Sequence, residues 1–405
     1  MQIILNRERV KNYSYYLLVV YYLILNYFPS NEIDKYSPKY FLFVLPVLGF
    51  IGSFSPYLIT RWYNNKSLIL LTLLGSTILV SLIRLDISTI FSIFLFSATL
   101  IVIFNSGITP SIKFINVLFV LSIIGSIISF HVGPSDFGYI PNFNKPQDLV
   151  SGGVGWRISL FPLVTESGFF ALLVIIGNYF LNPNRSRFLF YTLGLYFLVF
   201  SASRTSLVIF LFFLMFIYIK RLFVFKERTL YSILNPLFIT FFILFLTFKS
   251  LLFLAKDTRI GFLNEFLFRS EKGMQQEANL QDVATRNWIW EQHLSIYSQN
   301  PVFGVGTYDF NDYKDKITKS YQRSSGSESF ITALIARIGL LAFLIIYLLF
   351  LFQRTSMKNK NPFVYMITIY IFIAMISYGS FMVAYNFMFL LLFGMINNKT
   401  HRNTN

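Results

Sequence analysis

An all-α, polytopic membrane protein is the fold class that this sequence predicts, and three observations carry the prediction. Hydrophobic residues make up 55% of the 405, and charged residues only 13%. The 49 Phe and 25 Tyr exceed what a soluble core of this size needs. Apolar runs of about 17–25 residues recur along the chain, the length that crosses a bilayer as a helix. There is no cysteine, which excludes disulfides, thiolate metal sites and cysteine nucleophiles.

About twelve spans are expected, near residues 13–28, 39–60, 67–83, 87–104, 113–130, 158–181, 187–201, 205–222, 232–254, 328–352, 362–380 and 383–397. Residues 1–11 are basic, but the run that follows has no small-residue cleavage site and ends in Pro29. A retained first span is therefore expected rather than a cleaved signal. With the N-terminus in the cytoplasm, the inside segments collect seventeen Lys and Arg against two acids, Glu8 and Glu227. Every inside loop is then basic, as the positive-inside rule requires. The same assignment accounts for the net charge of +16 without nucleic acid as a partner. Both termini fall on the cytoplasmic side.

Two outer segments are long where short connectors are the rule: residues 131–157 and 255–327. The second divides the chain into a transmembrane part (1–254), an extracytoplasmic cap (255–327) and C-terminal spans with a short tail (328–405). The cap holds nine of the 18 acids and nine Lys or Arg. Irregular polar chain of that length cannot sit in lipid. Its heart reads as a helix over 284–299, in which Arg286, Trp290, His293 and Tyr297 share one face. Asn300-Pro301 ends that helix, and Gly304-Val305-Gly306 turns the chain.

Ionisable groups inside spans are costly and mark function by default. Glu166, Arg204 and Arg337 are the three of interest. Glu166 lies eight residues into its expected span and Arg337 nine residues beyond Glu328, at similar depths of roughly 12–14 Å. They are therefore expected to pair across the bundle, as a structural ion pair or a functional one. On the outer face, Arg157, Arg204, Arg286 and Arg323 are candidates to bind phosphate oxygens through their guanidinium forks, although a loop arginine can equally be a solvated surface charge. Glu328 reads either as a favourable helix start or as a general base or hydroxyl-binding carboxylate. His293 is a second candidate base, or a packing residue. No Asp-x-Asp pair, Walker loop or zinc-ligand spacing occurs, so neither a metal nor a cofactor is expected.

These segments, in this order and on this side, resemble the O-antigen polymerase and ligase superfamily. The resemblance rests on Thr165-Glu166-Ser167-Gly168-Phe169-Phe170-Ala171, on Ser203-Arg204-Thr205, and on Ala284-Thr285-Arg286-Asn287-Trp288-Ile289-Trp290 with Asn300-Pro301-Val302-Phe303-Gly304-Val305-Gly306. It continues through Glu328-Ser329-Phe330 to Arg337-Ile338-Gly339 and covers about residues 157–352. It implies an undecaprenyl-diphosphate-linked oligosaccharide donor and metal-independent glycosyl transfer at the outer face of the bacterial cytoplasmic membrane. Arg204 and Arg286 would hold the diphosphate. Ligases of the superfamily tend to carry His where this chain has Glu328, so the Glu-Ser-Phe form looks more like a polymerase of the Wzy type, for O-antigen or capsule. A chain-length regulator is the protein partner that such a polymerase would meet. An O-antigen ligase acting on lipid A core is the nearest alternative. A lipid-linked oligosaccharide flippase is an alternative of another class; it predicts charges spread through the central spans and short loops on both faces.

Overall fold

The computed structural model describes residues 7–25, 27, 39–53, 82, 87–132, 160–161, 164–201, 204–222, 293–305, 330–343, 347, 361–377 and 387–397. Among the described residues all regular structure is helical, as expected. The helices are α1 (Arg7–Leu25), α2 (Lys39–Ser53), α3 (Ile87–Ser106), α4 (Ile112–Val132), α5 (Val164–Leu181), α6 (Arg187–Phe200), α7 (Arg204–Leu222), α8 (Phe330–Ile338), α9 (Pro362–Ser377) and α10 (Phe387–Met395). Residues 293–299, within the segment expected as the cap, are helical. The expected spans near 67–83 and 232–254, and the outer loop beyond residue 132, lie outside the described residues.

Each helix follows from its sequence. In α1, buried Tyr15, Leu18, Val19, Tyr22 and Leu23 recur at i, i+3, i+4, i+7 and i+8, the spacing of one apolar stripe. Ser111 Oγ accepts the Phe114 N–H at 3.2 Å and so caps α4. At the start of α9, Asn361 Oδ1 accepts the Phe363 N–H at 3.0 Å. Pro362 then fills the first helical position, where its missing N–H costs nothing.

Helix α5 lies at the centre. Every residue from Glu166 to Asn178 is buried, as expected of a helix that is apolar all round. It packs against α4, α6, α7 and α9. Gly194 of α6 makes the α5–α6 approach close: a Cβ there would lie 2.7 Å from Ile175 and 3.3 Å from the Ala171 carbonyl. Rings fill the remaining space, with Phe119 packed edge-on against both Phe170 and Phe197 at centroid distances of 5.6 and 5.7 Å. Helix α10 is also fully buried and packs on α1, α3 and α9. Buried tyrosines pin helices together by donating to helix carbonyls: Tyr15 to Leu390 O at 2.7 Å, Tyr27 to Ser122 O at 2.8 Å and Tyr370 to Phe169 O at 2.8 Å.

The outward faces are apolar too. Between Val117 and Ile128 of α4, the exposed residues are Val117, Val120, Leu121, Ile124, Ile127 and Ile128. Helix α7 exposes Val208, Leu211 and Leu214. Among the described residues no helix is long and apolar enough to cross a membrane.

Two expectations change in detail. The span expected over 158–181 begins as a helix only at Val164. The span expected over 328–352 is not one helix in the described part: α8 stops at Ile338, and Gly339 takes a left-handed φ of 64° before the chain resumes a helical turn at 341–343.

Candidate functional site

Helices α5, α6 and α7 run up, down and up through short connections. The N-terminus of α5, the C-terminus of α6 and the N-terminus of α7 are thereby brought to one end of the bundle. Glu166 stands in the first turn of α5, where the helix dipole favours a carboxylate, and it is buried. The next residue, Ser167, is fully buried, and its Oγ accepts the Leu160 N–H at 3.0 Å. That bond folds the preceding chain over the start of the helix. At the same end, Ser201 closes α6: its N–H donates to Phe197 O at 2.9 Å and its Oγ–H to Leu198 O at 3.0 Å. Arg204 opens α7 three residues later; residues 202 and 203 of the turn expected there lie outside the described residues.

The cap and α8 form the second half. In the short cap helix, His293 and Ile296 are buried and Tyr297 packs partly buried against the core, while Leu294, Ser295 and Ser298 face outward. His293 and Tyr297 share one face, as predicted, and it is turned inward; Arg286 and Trp290, expected on the same face, lie outside the described residues. His293 Nδ1 and Thr332 Oγ1 share a hydrogen bond of 2.9 Å, which ties the cap helix to α8.

Beyond the cap helix, the Gly304 N–H donates to Asn300 O at 2.8 Å, and the turn then docks on the end of α8. The Val305 N–H donates to Ala336 O at 3.1 Å, and the Leu340 N–H to Pro301 O at 2.9 Å. Gly304 and Gly339 both have a φ of 64°, a conformation that costs other residues about 1–2 kcal/mol. A Cβ on Gly304 would collide with the backbone of Arg337 and Ile338. One on Gly339 would lie 2.6 Å from the Gly304 nitrogen and from the Pro301 and Val302 carbonyls. The two glycine motifs singled out in the sequence are thus the two faces of one backbone contact.

Among the predicted site residues, the structure brings His293 onto the helix that carries Arg337, and it seats the cap turn against the Arg337 backbone. Helix α8 packs on α9, and α9 on both α5 and α7, so one intervening helix joins α8 to the elements that carry Glu166 and Arg204. The eight residues counted from 158 to Glu166 are not all helix, since α5 begins at Val164; the pairing expected of Glu166 with Arg337 stays a proposal. Arg157, Arg286, Arg323 and Glu328 lie outside the described residues, and of Arg204 only the backbone position is described.

Sequence reasoning missed Thr332, Ser167 and a buried amide pair. In that pair Asn116 Nδ2 donates to Asn178 Oδ1 at 3.0 Å, and Asn178 Nδ2 donates back to Asn116 Oδ1 at 2.7 Å. Asn182 Nδ2 adds a further bond to Asn178 Oδ1 at 2.8 Å. The available signal was a lone amide in each of two apolar helices, which lipid or a dry core leaves in need of a partner.

No curated protein matches the chain. Residues 189–332 match the family model described as O-antigen ligase. That stretch runs from α6 through the Arg204 turn and the cap to Thr332, the residue on which the cap helix is bonded. Over residues 189–332 the chain is thus similar to this family, a match that supports the resemblance to the O-antigen polymerase and ligase superfamily read from the motifs at Arg204, Arg286 and Glu328.

Proposed function

We propose that the chain is a membrane-embedded polysaccharide polymerase. In this reading it joins undecaprenyl-diphosphate-linked oligosaccharide repeat units on the outer face of the bacterial cytoplasmic membrane. The observation that carries the reading is the family match over 189–332, which includes both Arg204 and Glu328. The exposed aliphatic stripe of α4 supports the membrane part. Six aliphatic side chains on one outer face form an apolar patch that a soluble monomer rarely exposes, and lipid would cover it.

In the proposed mechanism, the lipid of a growing chain lies between helices and its diphosphate rests on Arg204 and Arg286. Arginine forks suit phosphate oxygens, and the positive end of the α7 dipole adds to the attraction at Arg204. A hydroxyl of the incoming repeat unit gives its proton to Glu328 and attacks the anomeric carbon. The bond from that carbon to the phosphate oxygen breaks, and undecaprenyl diphosphate leaves with the electron pair. Diphosphate is a good leaving group, so charge stabilisation by arginines carries more of the catalysis than acid chemistry. No metal is needed in this scheme. Positioning two large substrates supplies much of the remainder.

The description of the matched family favours a second reading, an O-antigen ligase that transfers finished glycan to lipid A core. Glycan analysis after deletion of the gene separates the two. Single repeat units on their normal acceptor indicate a polymerase, and accumulated lipid-linked polymer indicates a ligase. Units left facing the cytoplasm would point instead to a flippase. Arg204→Ala and Arg286→Ala should each abolish long chains while leaving normal amounts of protein in the membrane. Normal polymer from both variants would overturn the diphosphate assignment.

A further inference from the structure

Helices α4 and α6 turn apolar faces outward side by side. On α4 the exposed positions 113, 117, 120, 121, 124, 127 and 128 recur as one helical stripe. On α6 the exposed positions 188, 189, 192, 195 and 196 do the same. The helices touch where the Phe119 ring meets Phe197 edge-on at 5.7 Å, and the residues beside those rings, Val120 and Tyr196, are exposed. The two stripes therefore border one outer surface.

Both stripes end in basic residues, and at the same end of the bundle. Lys113 stands in the first turn of α4 as the lowest member of its stripe. Arg185 is exposed in the turn before α6. Arg187 opens that helix, with its guanidinium 5.0 Å from the centre of the exposed Phe188 ring. Three contacts through α5 and the turn after it hold these ends together. A Cβ on Gly177 of α5 would lie 2.8 Å from Ile112, Asn178 is bonded to Asn116, and Asn182 Nδ2 donates to Ser186 Oγ at 3.4 Å. This is the end opposite to Glu166 and Arg204. Residues 107–130 and 167–201 contain no Asp or Glu that would neutralise it.

The heights of these groups suit a lipid. Lys113 precedes Phe119 by six residues and Arg187 precedes Phe197 by ten, so the cations stand about 9 and 15 Å from the ring contact. The difference of about 6 Å is the thickness of one headgroup layer. Beyond Lys113 the α4 stripe runs about 22 Å to Ile128, longer than half of a hydrocarbon core of about 30 Å.

We propose that the α4–α6 surface binds an anionic phospholipid of the leaflet at the basic end, which the positive-inside rule places in the cytoplasm. Its acyl chains lie on the two stripes and its phosphate meets Lys113, Arg185 and Arg187. Arginine forks take phosphate oxygens in pairs, and lysine adds a point charge. A zwitterionic lipid offers the same chains but no net charge to these three groups. The inference rests on the membrane part of the reading above and not on the glycosyl-transfer part.

The full-length protein, extracted in mild detergent, is given equal amounts of phosphatidylglycerol and phosphatidylcholine with identical acyl chains. Lipids that stay bound are counted by native mass spectrometry. The native protein should retain phosphatidylglycerol in preference by at least about tenfold. Each of Lys113→Gln, Arg185→Gln and Arg187→Gln should lower the preference about fivefold. The triple variant should bring it to parity with no change in the Tm of lipid-free protein, because the three side chains lie at the surface. Equal retention of the two lipids by the native protein overturns the proposal. So does the same loss of preference when Lys314→Gln, Lys316→Gln and Lys319→Gln are combined instead, because net charge rather than this surface then selects the lipid. A lipid-free dimer that Val120→Ser and Ile124→Ser dissociate also overturns it, since the stripes then face a second copy of the chain. Recovery of the protein in the soluble fraction without detergent would defeat the membrane reading itself, whereas a membrane-bound protein without lipid preference defeats only the lipid site.

Discussion

The α4–α5 pair and the cap–α8 junction are both buried contacts between helical segments, yet they are built from different materials. Helices α4 and α5 meet through apolar side chains and rings, with one reciprocal amide pair as the polar element. Among the described residues, the cap and α8 meet through backbone N–H and carbonyl groups, two glycines and the His293–Thr332 bond. Side chains can repack around a change in volume, but a backbone contact closed on two missing Cβ atoms has nowhere to yield. The bundle is therefore the tolerant region and the junction the demanding one.

The sharpest way to test that contrast is Gly304→Ala. The new Cβ meets the backbone of Arg337 and Ile338 and also carries the left-handed penalty. The junction should lose roughly 3 kcal/mol. On the polymerase reading, polymer formation should collapse, and the cap should become sensitive to proteases at a temperature where the bundle stays folded. Equal protection of the Ala variant and the native protein would mean that the junction is no stiffer than the bundle.

Next in size is Leu121→Lys, on the exposed face of α4. Facing lipid near the middle of a span, a Lys costs about 2.5–3.5 kcal/mol, and membrane levels should drop. Facing water it would cost little. Unchanged levels and thermal stability in lipid nanodiscs would break the lipid-facing reading of that stripe.

The amide pair gives an intermediate effect. Asn178→Leu takes away both bonds to Asn116 and should cost about 1–3 kcal/mol in thermal unfolding. Converting Asn116 to Leu as well should recover part of the loss, because the Asn116 amide is then no longer stranded, while Asn182 still lacks its bond to Asn178. The smallest effect belongs to Gly125→Ala. Its Cβ would come within 2.9 Å of the Tyr27 ring, which would have to tilt about its bond to Ser122 O, and about 1 kcal/mol is expected. If Gly125→Ala proved as damaging as Gly304→Ala, the distinction between side-chain and backbone contacts would not hold.

The helices of the bundle were legible in advance. Expected spans at 87–104, 113–130, 187–201 and 205–222 correspond to α3, α4, α6 and α7 within a few residues, because continuous apolar sequence of that length has few alternatives to a helix. The site was legible in part. The motif around Gly304 and the one around Gly339 were noticed separately, as a turn and as part of a span. Nothing local says that they touch, since the chain between them is long and the contact is made by backbone. For the same reason the 328–352 run read as one span: its apolar pattern continues through Gly339, and only docking of the cap explains the break. Thr332 was overlooked because a threonine in an apolar helix commonly bonds its own preceding turn, whereas here it faces His293.

The sequence by itself determined the all-helical class and the arginines and carboxylates worth testing. Composition, apolar run length and residue chemistry are local properties and need no partner to be read. Only the tertiary structure decided that the cap helix docks on α8, that Glu166 belongs to a first turn rather than to mid-helix, and that His293 meets Thr332. Each of these depends on a contact between residues far apart in the chain, and the spacing of residues along one segment does not encode which distant backbone will meet it.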